Sequence, residues 1–436
     1  MTINMNYRNI SLFSMVFLFL IIVGFYQSWN VAFGLLNLCL LSAIMALGVN
    51  IQWGYAGLFS IGTVGFVALG GVAAVVTSMP PVEEAWRSCG PGIITALIAA
   101  AVTIIASIQV WKRFPSGLLR NIVMIVVLLG GFFIFRGLLD PATAIIEKIN
   151  PAGEGYLGGL GLPVIFSWLV GGLFAAGVAW VIGKISLGLR ADYLAIATLG
   201  IAEIIIAIIK NEDWLTRGVK NVIGIPRPTA YEVDLQKSET FIQNVNWLGM
   251  EVVEASSLYV KLSYGFLFVI VLAIILWLSE RALNSPWGRM MRAIRDNEEA
   301  AEAMGKDVTK RHLQVFILGS AVCGIAGAMM TSLDGLLTPQ SYQPLRFTFL
   351  IWVMVIVGGS GNNWGAVLGG FLLWFFWIEV EPIGHWLLSI LTSGIPDNLQ
   401  IKEHLLDSAA HMRLITMGII LLVTLRFAPK GLIPEK

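Results

Sequence analysis

Apolar stretches of about span length recur along the chain, separated by shorter polar segments. A helix needs about 20 mostly apolar residues to cross a bilayer. Twelve stretches qualify as candidate spans, several of them short enough to be half-helices: residues 11–28, 31–50, 57–78, 92–111, 119–139, 162–182, 193–210, 262–280, 313–332, 346–360, 364–381 and 411–427. The pattern predicts an all-α polytopic membrane protein with about 10–12 transmembrane helices, some of them short or broken.

The polar segments between the candidate spans alternate in charge. With the N-terminus inside, the inner segments 112–118, 183–192 and 281–312 all carry Lys and Arg, whereas the outer segments 79–91 and 211–261 carry more acids than bases. Because basic loops stay on the cytoplasmic side, this asymmetry predicts that both termini are cytoplasmic. It also predicts that the longest segment without a span is an outer loop.

Composition narrows the class of protein. Of the 436 residues, 57% are hydrophobic and 13% are charged, against about 25% charged in a soluble domain. A net charge of +1 gives no reason to expect nucleic acid as a partner. The three cysteines are too widely spaced to predict a disulfide or metal framework. The sequence also lacks the motifs GxxxxGK[ST], HExxH, CxxC and GxSxG, so we predict no catalytic residues, no metal site and no cofactor bound by this chain.

A glycine-rich stretch near the N-terminus, LGVNIQWGYAGLFSIGTVGFVALGG, is the first candidate for a translocation path. Glycines let membrane helices approach closely and tolerate a break. Transporters build substrate sites from such broken helices. Asn50, Ser60 and Thr63 lie among these glycines and are predicted to line the path. The glycines alone would favour helix–helix packing, which stays the alternative; the polar residues among them point to a path.

A second candidate lies in the stretch LRADYLAIATLGIAEI, where Thr198 and Glu203 enter a predicted span. Glu203 lies roughly 15 Å into that helix. An acid at this depth is costly, which makes it a candidate for the path; a structural hydrogen bond to a neighbouring helix is the alternative. No second carboxylate lies as deep, because Glu379 falls at a span edge. This argues against a proton-coupled mechanism.

The polar segment 285–312 is predicted to be a cytoplasmic loop that holds a short helix. Residues 298–304 are rich in Ala and Glu, which favour helix, and Gly305 can end it. Its small side chains would let another protein approach closely; they belong to Ala300, Ala301 and Ala303.

Taken together, these stretches resemble the inner-membrane permease of ABC importers of the branched-chain amino acid (LIV) type. The resemblance covers LGVNIQWGYAGLFSIGTVGF, LRADYLAIATLGIAEI, SPWGRMMRAIRDNEEAAEAMG with SAVCGIAGAM, VIVGGSGNNWGAVLGG and the tail RFAPKGLIPE. These motifs extend over most of the chain in one order. The resemblance implies a single permease domain over residues 1–436.

The same resemblance assigns roles to the loop and names partners. In these importers the motif EAAxxxG forms a coupling helix that docks in a groove of the ATPase subunit. The coupling residues implied here are Arg295, Glu299, Ala300, Ala301 and Gly305. The implied partners are a second homologous permease in a heterodimer, two ATP-binding cassette subunits that use ATP and Mg²⁺, and a periplasmic substrate-binding protein. The implied location is the bacterial inner membrane, and this chain itself would not be an enzyme.

Departures from the family pattern leave the cargo open. Residues 79–161 contain an apparent insertion with an extra pair of spans, and TRGVKNVIG stands where the family commonly has TGGxxG. Branched-chain amino acids are the expected cargo, and urea or short-chain amides are the alternative within this architecture. Rivals of another class are an ion-coupled secondary transporter and a membrane-embedded enzyme or scaffold.

Overall fold

The computed structural model describes residues 7–149, 155–393 and 400–435. Its helices and strands are α1 (Tyr7–Tyr26), α2 (Trp29–Val49), α3 (Thr63–Ser78), α4 (Glu83–Arg113), α5 (Leu118–Ile146), α6 (Val164–Ser186), α7 (Ala191–Asn211), α8 (Asp213–Thr216), β1 (Val222–Ile223), α9 (Glu232–Lys237), α10 (Glu239–Trp247), α11 (Val252–Leu283), α12 (Pro286–Asp296), α13 (Glu298–Ala303), α14 (Val308–Asp334), β2 (Leu336–Leu337), α15 (Pro344–Gly358), α16 (Asn363–Leu391), α17 (Gln400–Asp407) and α18 (Met412–Phe427).

Each predicted span is occupied by an apolar helix. Within the described residues, ten helices are long and apolar enough to cross a membrane, and α3 and α15 are shorter apolar helices. The prediction of an all-α polytopic membrane protein is therefore confirmed. The cytoplasmic location of the two termini stays a prediction.

The core of the bundle is formed where α14 packs against α3 and α6, beside the pair α2 and α16. Glycines make this packing close. A Cβ atom at Gly327 would collide with the backbone carbonyl of Val67, and one at Gly70 would collide with the carbonyl of Gly324. Helices α3 and α14 thus touch backbone to backbone, which is how small residues hold membrane helices together where apolar burial gives no driving force.

Helices α4 and α5 form a hairpin at the side of the bundle. Both helices run beyond the predicted spans 92–111 and 119–139. They pack mainly on each other, and one end of the hairpin meets the body in a small apolar cluster that includes Leu157 and Trp214. Arg136 of α5 also lies 3.8 Å from Glu212. The interpretation of residues 79–161 as an insertion stays a prediction.

The segments 211–261 and 285–312 lie at opposite ends of the bundle, because α14 connects them. This helix begins within segment 285–312 and ends next to β2, which pairs with β1 in segment 211–261. Its 27 residues span about 40 Å. The prediction that 211–261 lacks a span needs one correction, since α11 already begins at Val252. The end that holds 285–312 is called the coupling end below.

Candidate functional site

The predicted break between the second and third spans is present. Helix α2 passes into a π-helical turn at Asn50–Gly54. Residues 57–62 are not helical, and α3 begins only at Thr63. Gly57 has a φ of +68°, which a side chain would disfavour. A π turn leaves the regular hydrogen-bond ladder and is frequent at functional sites. The broken segment is therefore the natural place for a path through the bundle.

Two predicted path residues, Ser60 and Thr63, lie in or beside this break and are buried with unused hydroxyl groups. Each is 1% exposed, and neither hydroxyl oxygen has a hydrogen-bond partner among the described residues. Thr348 of α15, fully buried, has the same property. It lies one helical turn before Trp352, whose indole donates a hydrogen bond to the carbonyl of Ser60 at 3.1 Å. Buried hydroxyls without partners are rare and costly, which suits groups that meet a polar solute.

Thr198 fixes the position of the broken segment. Its hydroxyl accepts a hydrogen bond from the backbone amide of Ile61 at 3.0 Å and donates one to the carbonyl of Ala195 at 3.0 Å. Gly62 packs on the backbone of Thr198, where a Cβ atom would come within 2.5 Å of its carbonyl oxygen. The structure therefore places Thr198 at the break, where its hydroxyl already accepts one hydrogen bond and donates another.

Asn50 belongs to a buried polar network. Its amide nitrogen donates to Asn363 Oδ1 at 3.1 Å, and its amide oxygen accepts from the backbone of Gly361 at 2.9 Å. Asn363 also accepts from the hydroxyl of Tyr55 and donates to Glu280 at 2.9 Å. Asn50 thus joins the π turn to the turn between α15 and α16. This bonding explains its burial, whereas its predicted role in the path stays a prediction.

Glu203 lies apart from the break. It is exposed on α7 beside Ile204, which is 59% exposed. A carboxylate on an exposed apolar face is costly in lipid, so this face needs water or another protein chain over it in the membrane. The structure does not bring Glu203 together with the other predicted path residues.

The short helix predicted within 285–312 is present as α13, at Glu298–Ala303, and its coupling role stays a prediction. The side chain of Asn297 caps it by accepting from the amide of Ala300 at 2.9 Å. Gly305 has a φ of +77°, and the amide of Lys306 bonds back to the carbonyl of Ala301 at 3.2 Å, as in a glycine-ended helix.

One residue of this helix differs from the expectation. Glu299, Ala300 and Gly305 are exposed, but Ala301 is only 8% exposed. It packs in an apolar cluster with Tyr55 and Met291. Because only one face of a helix can point away from the protein, the predicted small face could not present both Ala300 and Ala301. Ala301 anchors the helix to its own chain.

Arg295 connects the coupling loop to the break. Its guanidinium donates to the carbonyl of Gly54, at the end of the π turn, at 2.5 Å. The same nitrogen lies 2.8 Å from the carboxylate of Glu435 in the C-terminal tail. Gln52 provides a second connection, since it donates to the carbonyl of Phe316 in α14 at 3.2 Å. The break can therefore move relative to α12 and α14 only if these hydrogen bonds change.

Several residues of this network were missed in the sequence. Tyr55, Glu280 and Asn363 are far apart along the chain, and no short motif joins them. Glu435 lies in the tail motif, but its pairing with Arg295 depends on the tail folding back on the bundle. The only available signal was the pair of asparagines in the Gly-rich turn GGSGNNWG between two spans, which marks Asn363 but not its partners.

No group of three or more His, Cys, Asp or Glu side chains in the described ranges is placed to hold a metal ion. The described residues therefore contain no candidate metal centre. The break and the segment 285–312 stay the candidate functional site.

We expect Thr63→Val together with Thr348→Val to change uptake without lowering stability. Both substitutions remove a buried hydroxyl that has no partner, so the free energy of unfolding should stay the same or rise. If these hydroxyls meet the solute, KM for uptake should rise about 10-fold. The control is Thr77→Val, because that hydroxyl already bonds the carbonyl of Ala73 within its own helix. Unchanged uptake kinetics in the double variant would remove both residues from the path.

We expect Asn363→Ala to destabilise the protein by roughly 2–4 kcal/mol, because Asn50, Tyr55 and Glu280 would each lose a partner. Thermal unfolding of the purified protein in detergent measures this effect. Asn284→Ala is the control, since Asn284 is exposed and bonds only its own helix and Glu280. Similar unfolding temperatures for the two variants would show that the network contributes little.

The fold is that of a polytopic membrane protein with a broken helix in its bundle, and the family comparison identifies its class as a permease. Its sequence matches the family model described as the branched-chain amino acid transport system permease component, over residues 31–148 and 142–425. The chain belongs to this family.

Two relatives of the type LivM show how far the similarity extends. The chain is 30% identical over 208 residues to the high-affinity branched-chain amino acid transport system permease protein LivM of Salmonella typhimurium, which covers 46% of this chain and 47% of that protein. It thus spans about half the length of that relative. It is 27% identical over 330 residues to the probable branched-chain amino acid transport permease protein LivM of Methanocaldococcus jannaschii, covering 76% of this chain and 84% of that protein.

The chain is also similar to a second type of permease. It is 28% identical over 171 residues to the probable branched-chain amino acid transport permease protein LivH of Methanocaldococcus jannaschii, covering 38% of this chain and 48% of that protein. No solved structure matches the chain.

Proposed function

We propose that this chain is the transmembrane permease subunit of an ATP-driven ABC importer for branched-chain amino acids. The observation that carries the proposal is the family match, which extends from residue 31 to residue 425 and includes the coupling loop. The names of the LivM relatives support the cargo. In this proposal the chain binds no nucleotide, and a partner subunit hydrolyses ATP with Mg²⁺.

The proposed assembly contains two permeases. Similarity to relatives named LivM and LivH supports a pair of homologous but different permeases. Two ATP-binding cassette subunits would bind at the coupling end, where Glu299 and Gly305 are exposed on and beside α13. A periplasmic binding protein would deliver the cargo at the opposite end. This arrangement requires the bacterial inner membrane with both termini in the cytoplasm.

The contacts of the coupling loop support a mechanism. Movement of the ATPase subunits would displace α13, which is anchored through Ala301 to the cluster beneath it. Arg295 and Gln52 would carry the displacement to the π turn. The broken segment, which holds Ser60 next to α15, would then open or close the path. Reorganisation of a few hydrogen bonds between two arrangements is enough to switch a packed bundle.

Uptake into proteoliposomes tests the proposal. The chain would be reconstituted with its partner permease, ATPase subunits and binding protein, and uptake of labelled leucine and labelled urea would be measured. We expect leucine uptake that requires ATP and the binding protein and that survives dissipation of proton and sodium gradients. Uptake that persists with an ATPase-dead partner would contradict an ATP-driven importer, and uptake of urea in place of leucine would contradict the cargo.

A further inference from the structure

A cavity of about 500 Å³ opens on the side of the bundle between α1 and α16. Its size is that of a small-molecule site. The lining is almost entirely apolar and is rich in aromatic rings, which belong to Phe19, Tyr26, Phe375, Phe376 and Trp386. Because both helices are long and apolar enough to cross a membrane, the cavity is accessible from the bilayer.

One acidic side chain, Glu379, lies in this apolar lining. It is only 2% exposed. One carboxylate oxygen accepts a hydrogen bond from the amide nitrogen of Gln27 at 2.7 Å. The other oxygen is buried and has no partner among the described residues. A buried carboxylate oxygen without a donor is costly, so the site is complete only when a donor occupies the cavity.

The depth of Glu379 indicates which part of a ligand would reach it. The residue lies 16 positions after Asn363, where α16 begins at the coupling end, and this corresponds to about 24 Å along the helix. The hydrocarbon core of a bilayer is about 30 Å thick. Glu379 therefore lies near the far edge of that core, at the level where Tyr and Trp side chains such as Tyr26 and Trp386 meet lipid headgroups.

One backbone carbonyl near Glu379 also lacks its usual donor. Pro382 lines the cavity and, having no amide proton, cannot donate to the carbonyl of Ile378 one turn earlier. An ammonium group carries three donors and a positive charge, so it can bond an unpartnered carboxylate oxygen and neutralise it. A phosphoglycerol head would be repelled by the carboxylate, and a trimethylammonium head has no proton to donate.

We propose that the cavity between α1 and α16 is a lipid site that binds a phospholipid with a primary-amine headgroup, phosphatidylethanolamine in chemical class. The acyl chain lies against Phe19, Phe375 and Phe376, and the ammonium bonds Glu379. The site is separate from the path and from the coupling loop, so it stands whether or not the proposed transport function holds.

Lipid binding to the purified full-length protein tests this site. Native mass spectrometry would count the lipids retained from phosphatidylethanolamine, phosphatidylcholine and phosphatidylglycerol with identical acyl chains. We expect at least about 10-fold tighter binding of phosphatidylethanolamine than of phosphatidylcholine at one site. Glu379→Gln keeps the shape of the side chain but loses its charge, and it should abolish this preference. Equal retention of the two lipids, or a preference that survives in Glu379→Gln, would overturn the proposal.

Two further measurements separate the alternatives. Ile22 lines the same cavity and is 51% exposed, so Ile22→Trp should fill part of the cavity and weaken the binding while Glu379 stays in place. Unchanged binding in this folded variant would place the lipid elsewhere and overturn the proposal. Hexylammonium, a water-soluble amine, should not displace the lipid at millimolar concentration. Displacement by it would assign the site to a soluble amine and overturn the lipid assignment.

Discussion

Gly327→Val is expected to prevent the protein from reaching a stable fold. A side chain at this position would collide with the backbone of Val67 in α3, and the colliding atoms are main-chain atoms that cannot rotate away. Relief requires α3 and α14 to separate along their whole contact. Overpacking typically costs about 1–3 kcal/mol, and occasionally more, which is a large part of a typical total stability. The expected result is loss of monodisperse protein after extraction in detergent, measured by size-exclusion chromatography.

The matched control for this variant is Gly177→Val in α6. Nothing lies within 4 Å of a Cβ atom built at Gly177, and its backbone is helical. Valine there should leave the yield and the unfolding temperature nearly unchanged. If Gly327→Val behaves like the control, then the close contact of α3 and α14 does not determine the packing of the bundle.

The double variant Glu299→Arg with Gly305→Asp is expected to lower uptake at least about 10-fold, while the protein still inserts and folds. Both positions are exposed, so the interior is unaffected. The first change reverses a charge on the face proposed to dock the ATPase subunit. The second places a side chain at a φ of +77°, which disfavours the turn that ends α13 at a cost of about 1 kcal/mol. Uptake and ATPase recruitment measured on the same membranes separate docking from folding.

Glu147→Arg serves as the control for charge reversal, because Glu147 is exposed at the end of α5, which packs near α8 at the end of the bundle opposite α13. It should leave uptake unchanged. Normal uptake in the Glu299 and Gly305 double variant would count against α13 as the docking element. Loss of the variant from the membrane would indicate that α13 is needed for folding instead.

The spans were predictable because the bilayer imposes one simple condition on each of them. A helix must be apolar over about 20 residues to cross, and each predicted span proved to contain a helix, including the short pair α3 and α15. The ends were less predictable. Helix α16 runs to Leu391, beyond the predicted end at residue 381, because it continues through Pro382, a residue type that usually ends or kinks a helix.

The candidate site was predictable only in part, because burial depends on contacts between distant segments. The short helix α13 and its end at Gly305 followed from local propensity and are confirmed. The inward face of Ala301 depends on a cluster with Tyr55, 246 positions earlier in the sequence. Glu203 lies within a helix, as predicted, but periodicity could not say that it lies on an exposed face of that helix.

The single unbroken helix α14 has a consequence for how the two ends of the protein affect each other. It begins just after α13 and ends at the strand β2, so it belongs to both ends at once. Thermodynamic linkage requires that the coupling free energy between two binding sites is the same in both directions. If docking at the coupling end alters how tightly the far end holds a binding protein, then that binding protein must alter the affinity for the ATPase subunits by the same factor.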